Sequence, residues 1–545
     1  MTLPEDILLR VERVLGYHRA SKLDGNQPKR QAALNPTTRP STHRTFEQAP
    51  KVPLVTTLLD ASTPAIQVLE NGRDALPDSQ MSPPQDLKTL STWLFMSDGM
   101  IPIRRNNKLV GYERTCPSSG ATAPCEIYVA AFAIDGLEPG LYDFSAKEYS
   151  LRKIRDGYEA LSLLKRGRPD LEFLKTTPGV ILVSTLFARS AWRFGLRGYR
   201  EAVRDAGQLM ENIAICGNAL GIQTITRMRL TESTSRELIG VPPDAPFDDA
   251  ESVQAMVIWA DPANTPMKLP ETSRVVEHLP PIPRAAHPKP FPPIPEIVQT
   301  QIDCVAPGMA IREIRPPLTE LNPMPSDAVM VEKPMSEDPT SHSVMRTITT
   351  RRAAVDFHRR GVPRNGFLAM NRAAFRGGSH FPLFPDGPQV ALIRPFWVIH
   401  EVLGIDSGVW YYHPASDKWV NLDREDHRID SAYLAYEQPF AANASAICFL
   451  FANLNYLTNT GGPDLYRLAH LEAGMVAQRL YVAANSFGMG CTTTGEFYDD
   501  EVRKFLGMER TGWEPIDCVA IGVSTDDKVV TAHVDAVDEE GLWRD

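Results

Sequence analysis

Tyr199-Arg-Glu-Ala-Val-Arg-Asp-Ala-Gly207 and Tyr466-Arg-Leu-Ala-His-Leu-Glu-Ala-Gly474 are two versions of one pattern, 267 positions apart. The match runs on without a gap, since Asn218, Gly221, Thr226, Arg236 and Gly240 recur as Asn485, Gly488, Thr493, Arg503 and Gly507. Ten identities in forty-two positions, with glycines and both ends coinciding, indicate a duplicated chain. Upstream, at an offset of 268, Ile134-Asp-Gly-Leu-Glu-Pro-Gly-Leu-Tyr-Asp-Phe144 faces Val402-Leu-Gly-Ile-Asp-Ser-Gly-Val-Trp-Tyr-Tyr412. In both copies an apolar strand pattern enters a Gly-x-x-x-Gly turn and leaves as an aromatic strand, which is hairpin chemistry. Leu465, Leu468, Leu471, Met475, Val476, Leu480 and Ala483 follow at three- and four-residue spacing, as an inward-facing helix requires. Each half is therefore expected to be an α+β unit, a mostly antiparallel sheet with packed helices. Two such units in tandem can pair as a pseudo-dimer within one chain.

A chain of 545 residues exceeds what one hydrophobic core supports, in line with two halves. The division expected is an N-terminal domain over 1–262, a proline-rich linker over 263–340 and a C-terminal domain over 341–545. Runs such as Leu279-Pro-Pro-Ile-Pro and Pro288-Lys-Pro-Phe-Pro-Pro-Ile-Pro are read as unable to sustain helices or central strands, and so as extended linker. A net charge of −10 disfavours a broad nucleic-acid surface, which needs clustered Lys and Arg. The seven cysteines lack CxxC pairing or His-rich spacing, so neither a disulfide framework nor a metal site is expected, and a reducing cytoplasm fits. Met1-Thr-Leu-Pro-Glu-Asp has no basic region leading into an apolar stretch, and no window approaches a bilayer span of ~20 residues; no membrane association is expected.

Three segments could carry chemistry. Thr115-Cys-Pro-Ser-Ser-Gly-Ala-Thr-Ala-Pro-Cys is a run of small residues whose main-chain N–H groups can approach a flat ligand, or else a plain turn before a strand. Arg351-Arg352, closing a helical pattern, suits a phosphate monoester, or else forms a solvated helix face. Gly488-Met-Gly-Cys-Thr-Thr-Thr-Gly-Glu suits a ring lying against it, or else is a helix stop and loop.

Together these segments resemble the nitroreductase superfamily, and within it the SagB/ThcOx-type dehydrogenases that use flavin mononucleotide (FMN). The likeness rests on Tyr17-His-Arg-Ala-Ser-Lys, Pro40-Ser-Thr-His-Arg-Thr-Phe, Pro117-Ser-Ser-Gly, Glu126-Ile-Tyr-Val and Gly136-Leu-Glu-Pro-Gly-Leu-Tyr, and covers most of both halves. It implies two tandem nitroreductase-like domains with FMN between them. Pro117, Ser118, Ser119 and Gly120 would meet the isoalloxazine edge, Arg351 the ribityl phosphate, Thr494 and Gly495 the ring, and Lys528 would be a second phosphate cation. The second half offers no Pro-Ser-Ser-Gly counterpart, which implies one working site per chain.

Three departures bear on the reaction. Arg-Arg-Ser of the family reads Arg351-Arg352-Ala353, without the hydroxyl, and the Lys-Tyr pair of thiazoline oxidisers reads Arg193-Phe194. Arginine, with a pKa above ~12, is a poor base, and phenylalanine carries no transferable proton. Arg193 is the candidate anchor for reduced flavin or for an acidic or amide substrate. Tyr199 is the candidate proton donor, although its twin Tyr466 favours a packing role. The leading expectation is an FMN-dependent dehydrogenase or oxidase acting on a modified, azoline-type peptide or a related natural product, with biosynthetic partner proteins. The alternatives are an NAD(P)H-dependent FMN reductase of nitro, quinone or enone compounds, and a flavin-less partner subunit. Further dimerisation of the tandem chain is left open.

Overall fold

Every residue of the helix Gly198–Ala219 is buried, charged ones included, and its twin Asp464–Ser486 is buried along almost its whole length. A helix covered on all sides belongs inside a large core, and here the two cover each other. They cross where the repeat places glycine. A methyl group on Gly207 would sit 2.0 Å from the carbonyl oxygen of Leu471, and one on Gly474 would sit 2.0 Å from that of Arg204. These two contacts exchange under the 267-residue offset, so a local twofold axis passes between the helices.

The computed structural model describes residues 3–26, 34–44, 46, 48–76, 83–105, 108–167, 174, 176–228, 230–260, 279–283, 290–305, 322–324, 328–376 and 391–525. On either side of the helix pair lies an antiparallel sheet. Across the first, the strands run Lys51–Pro53, Ser150–Asp156, Gly140–Ser145, Cys125–Ala131, Gly179–Leu186, Glu251–Ala260 and Gln223–Arg227. Across the second they run Val331–Glu332, Lys418–Asn421, Gly408–His413, Arg394–Ile399, Ala446–Asn453 and Trp513–Ser524. Trp513–Ser524 then carries Gly490–Thr494 and, separately, the short Phe357–His358. Position for position the two strand orders agree.

The hairpins form as their glycines require. Ala131 pairs with Gly140 and Ile399 with Gly408, while Gly136 and Gly404 take left-handed φ values of 82° and 73° that an L side chain rarely adopts. Gly488, with φ 73°, follows the end of the helix Asp464–Ser486 as a stop. One apolar core runs through both copies, containing Tyr199, Ala202 and Ala206 together with Tyr466, Ala469 and Ala473.

The proline-rich stretch corrects one expectation. Pro295–Cys304 is a helix, with Pro295 at its first turn, where a missing N–H costs nothing and the fixed φ favours initiation. Its Asp303 accepts from Arg13 Nε and Nη2 at 2.8 and 2.6 Å, fastening it to the N-terminal helix Glu5–Ala20, and Ile297 and Cys304 enter the shared core. No helix among the described residues is long and apolar enough to cross a membrane.

Candidate functional site

Arg351 leaves the helix Val344–Thr350 with extended backbone and its side chain crosses into the first half of the chain. Its Nε donates to Thr115 O at 3.1 Å and its Nη2 to Arg114 O at 3.0 Å, immediately before Pro117. The guanidinium is buried, faces the Tyr481 ring at 5.4 Å, and its Nη1 has no hydrogen-bond partner among the described residues. Neighbouring Arg352 pairs with Glu113 at 3.0 Å.

The loop beyond Thr115 is held by one carboxylate. Asp205 accepts from Ser118 Oγ at 2.9 Å, from Ser119 N at 2.9 Å and from Ser119 Oγ at 2.6 Å, and Ser118 Oγ accepts from Ala123 N at 2.9 Å. Gly120, Ala121 and Ala123 all have φ near +50°, a conformation that costs a non-glycine residue of order 1–3 kcal/mol and persists only where surrounding bonds hold it. Asp205 provides those bonds. Its own pKa is pushed up to about 6 by burial, against the pull of Arg204 and the serine hydrogen bonds.

Opposite this loop stands Gly495, following the strand Gly490–Thr494. Its carbonyl accepts from Arg197 Nε at 2.6 Å, and Thr494 Oγ1 accepts from Gln438 Nε2 at 3.1 Å and from Glu496 N at 3.1 Å. Arg204 bridges the two walls. It donates to Ser119 Oγ, to Glu201 Oε2 at 2.7 Å and to Asp517 of the second half, and Glu201 lies against Gly495. Nearby, Asp499 accepts from Arg197 at 2.7 Å and Arg200 at 2.8 Å. Burial alone would raise its pKa, but the two guanidinium groups hold it far below the carboxylate range.

The structure thus sets Arg193 against Gly120 and Glu201 against Gly495, ties Ser118 and Ser119 to Asp205, holds Thr494 on Gln438, and ends Arg351 on the backbone of Thr115, two residues before Pro117. Tyr199 lies elsewhere. It is fully buried, donates to Gln301 Oε1 at 3.0 Å, and stacks on Phe187 at 5.3 Å, which gives it a packing role. Lys528 lies outside the described residues. Asp205, Glu201, Arg204, Asp517 and Asp499 escaped the sequence reading, although the repeat held a signal. Arg197, Glu201 and Arg204 fall at i, i+4 and i+7 on a buried helix, where the twin copy has Asp464, Leu468 and Leu471.

Beside these residues a cleft of about 1210 Å³ opens between the end of the N-terminal helix, residues 191–197 and the segment around Glu496. At its first-half edge Arg193 covers Gly120; a methyl group on that glycine would lie 2.1 Å from Arg193 Nε, and one on Gly495 would lie 1.9 Å from Glu201 Oε1. FMN can be tested against this arrangement. At the phosphate end buried Arg351 offers an Nη1 that has no partner among the described residues, the kind of donor a phosphate takes. At the ring end the ends of two flexible side chains, Arg193 and Glu201, lie over the two glycines and Asp205 takes the Ser119 N–H, so a flavin ring fits there with those side chains moved aside.

The fold has known counterparts among nitroreductases. Residues 409–523 match the model of the nitroreductase family. A nitroreductase homologue of Methanocaldococcus jannaschii is 34% identical over 129 residues, 24% of this chain; the chain covers 65% of that protein's length. The crystal structure of a nitroreductase homologue from Anabaena variabilis superposes with a TM-score of 0.69 at 20% identity, over 94% of this chain and 99% of its own, a likeness of fold that takes in both halves. Together these findings show a nitroreductase-like stretch over residues 409–523 within a chain whose fold is like that of a nitroreductase homologue.

Proposed function

We propose that this chain is an FMN-dependent oxidoreductase built from two nitroreductase-like domains paired within one polypeptide, with one flavin site per chain. The reading rests on Arg351, a buried arginine from the second half that ends beside the Pro117–Gly120 loop of the first half with an N–H to spare. Arg351 would hold the phosphate, and the Pro117–Gly120 loop and Thr494-Gly495 would flank the ring. Bound flavin would supply the two-electron step. The chain's own residues would seat the substrate in the adjoining cleft, with Arg193 as anchor for an acidic or amide group. The substrate class favoured is a modified, azoline-type peptide or a related natural product, oxidised rather than reduced.

One observation favours a second reading, a flavin-less partner subunit. Arg193 and Glu201 fill the space over both glycines, and Ala353 lacks the family's hydroxyl. Equilibrium titration of the purified full chain with FMN, followed by flavin fluorescence, separates the two. The first reading expects saturable uptake, weakened at least about tenfold in Arg351→Ala, the usual cost of removing a charge-assisted bond. Circular dichroism would confirm that the variant is folded. A folded wild-type chain that takes up no FMN favours the second reading. Bleaching of bound flavin by NADPH in stopped flow would redirect the substrate assignment toward reduction of nitro, quinone or enone compounds.

A further inference from the structure

The cleft beside Gly120 and Gly495 is lined with charge, but most of that charge is already paired. Lys22 binds Asp500 at 2.7 Å and Glu514 at 2.8 Å, and Arg503 reaches the same two carboxylates at 3.2 and 3.4 Å. Arg197 is held by Asp499. Arg19, Arg193, Glu496 and Glu501 make no ion pair among the described residues, and two of these four lie beside the glycines. Arg193 is exposed, rests over the Phe194 ring at 5.5 Å, and makes no ion pair among the described residues. Glu496 is half-buried, and its carboxylate has no hydrogen bond or ion pair among the described residues. One comes from each half of the chain, and each flanks one of the two glycines: Arg193 lies against Gly120 and Glu496 follows Gly495.

Arg193 and Glu496 feel one another electrostatically, yet they do not close into a salt bridge. Burial and repulsion from Glu201 raise the Glu496 pKa, and Arg193, Arg197 and Arg204 draw it back. A guanidinium and a carboxylate that line one cleft without closing on each other can take a ligand carrying the complementary pair of charges, each completing a charge-assisted hydrogen bond. Trp192, Phe194 and Tyr436 line the same cleft and give it apolar, ring-faced surface.

We propose that this cleft recognises a dipolar ligand, with an anionic group held by Arg193 and a cationic or N–H-rich group held by Glu496, and with its apolar part on the aromatic wall. An aromatic amino acid, or a peptide end that presents an ammonium group near a carboxylate, has this chemistry. The proposal deepens the substrate side of the function proposed above and rests on it only for the claim that the ligand is a substrate.

Calorimetry of the full chain with three probes, L-phenylalanine, its N-acetyl derivative and its amide, tests it with and without added FMN. The free amino acid should bind about tenfold or more tightly than either blocked form, each of which loses one charge-assisted contact. Arg193→Gln should erase the difference between the free acid and the amide. Glu496→Gln should erase the difference between the free amine and the N-acetyl form. Equal binding of all three probes, no saturable binding of any, or variants that weaken all three alike would overturn the proposal. FMN uptake is read separately by visible absorption. A chain that takes no flavin but still discriminates among the probes refutes the proposed function and leaves this inference standing, and the reverse result does the opposite.

Discussion

Asp205 and Glu472 occupy the same place in the two copies and do the same work. Asp205 receives Ser119 N, and Glu472 receives Leu392 N at 2.6 Å and Ile393 N at 3.0 Å, so in each half a carboxylate on the central helix pins the segment entering the sheet. Burial raises Glu472 to about 7, as it raises Asp205 to about 6. A carboxylate among helix residues reads as a surface position in a sequence, and only the matching acid in the twin hints otherwise. His400 is a buried group with a simpler titration. Its Nδ1–H donates to Ala444 O at 2.9 Å, so Nε2 accepts from the Ser431 hydroxyl at 2.8 Å, an arrangement only the neutral ring can make. Burial lowers its pKa to about 4, against about 6.5 for an unfolded chain. Between those values the unfolded state binds a proton that the folded state refuses, so stability falls as pH drops through that window, by up to about 3 kcal/mol. Urea denaturation at a series of pH values should show His400→Asn losing that part of the acid sensitivity. An unchanged slope between wild type and variant would refute the assignment.

The two crossing helices show what patterning reveals at the scale of an element and what it leaves out. Their apolar spacing and end signals were legible, and so were the glycines, but the reason for Gly207 and Gly474 was not. It lies in a backbone-to-backbone approach between segments 267 residues apart. Alanine at either position gains up to about 1 kcal/mol in helix propensity and must push a carbonyl aside, which costs about 1–3 kcal/mol. Gly207→Ala and Gly474→Ala are therefore each expected to destabilise the chain, by similar amounts because the contacts are equivalent; thermal denaturation measures both. A stabilised variant would contradict the crossing. The helix Pro295–Cys304 was illegible for a different reason. Proline density masked a short amphipathic segment that folds only because the N-terminal helix and the core receive it.

At the scale of the whole molecule, the two halves are complementary where their central helices meet. Residues 211 and 478 are equivalent, as are 212 and 479, yet the pairs have diverged. Glu211 binds Arg479 Nη1 at 2.9 Å, and Asn212 Oδ1 accepts from Gln478 Nε2 at 2.9 Å. The two contacts exchange under the 267-residue offset, and identical copies would have made them the same. Arg479 also donates to Leu69 O, Ala373 O and Ala374 O, so it ties both halves together. Removing one member of such a buried pair strands the other, at about 3–5 kcal/mol. Glu211→Leu should lower the unfolding free energy read from urea denaturation by about that amount, and Arg479→Met, which also strands the Leu69, Ala373 and Ala374 carbonyls, should cost at least as much. The same divergence distinguishes the two potential sites, since Arg197, Glu201 and Arg204 border one and Asp464, Leu468 and Leu471 border its mirror. The central claim, a single flavin gripped across the halves, is tested most directly by the stoichiometry of FMN at saturation on the purified full chain. One FMN per chain is the predicted result. Two per chain, or none, would contradict it.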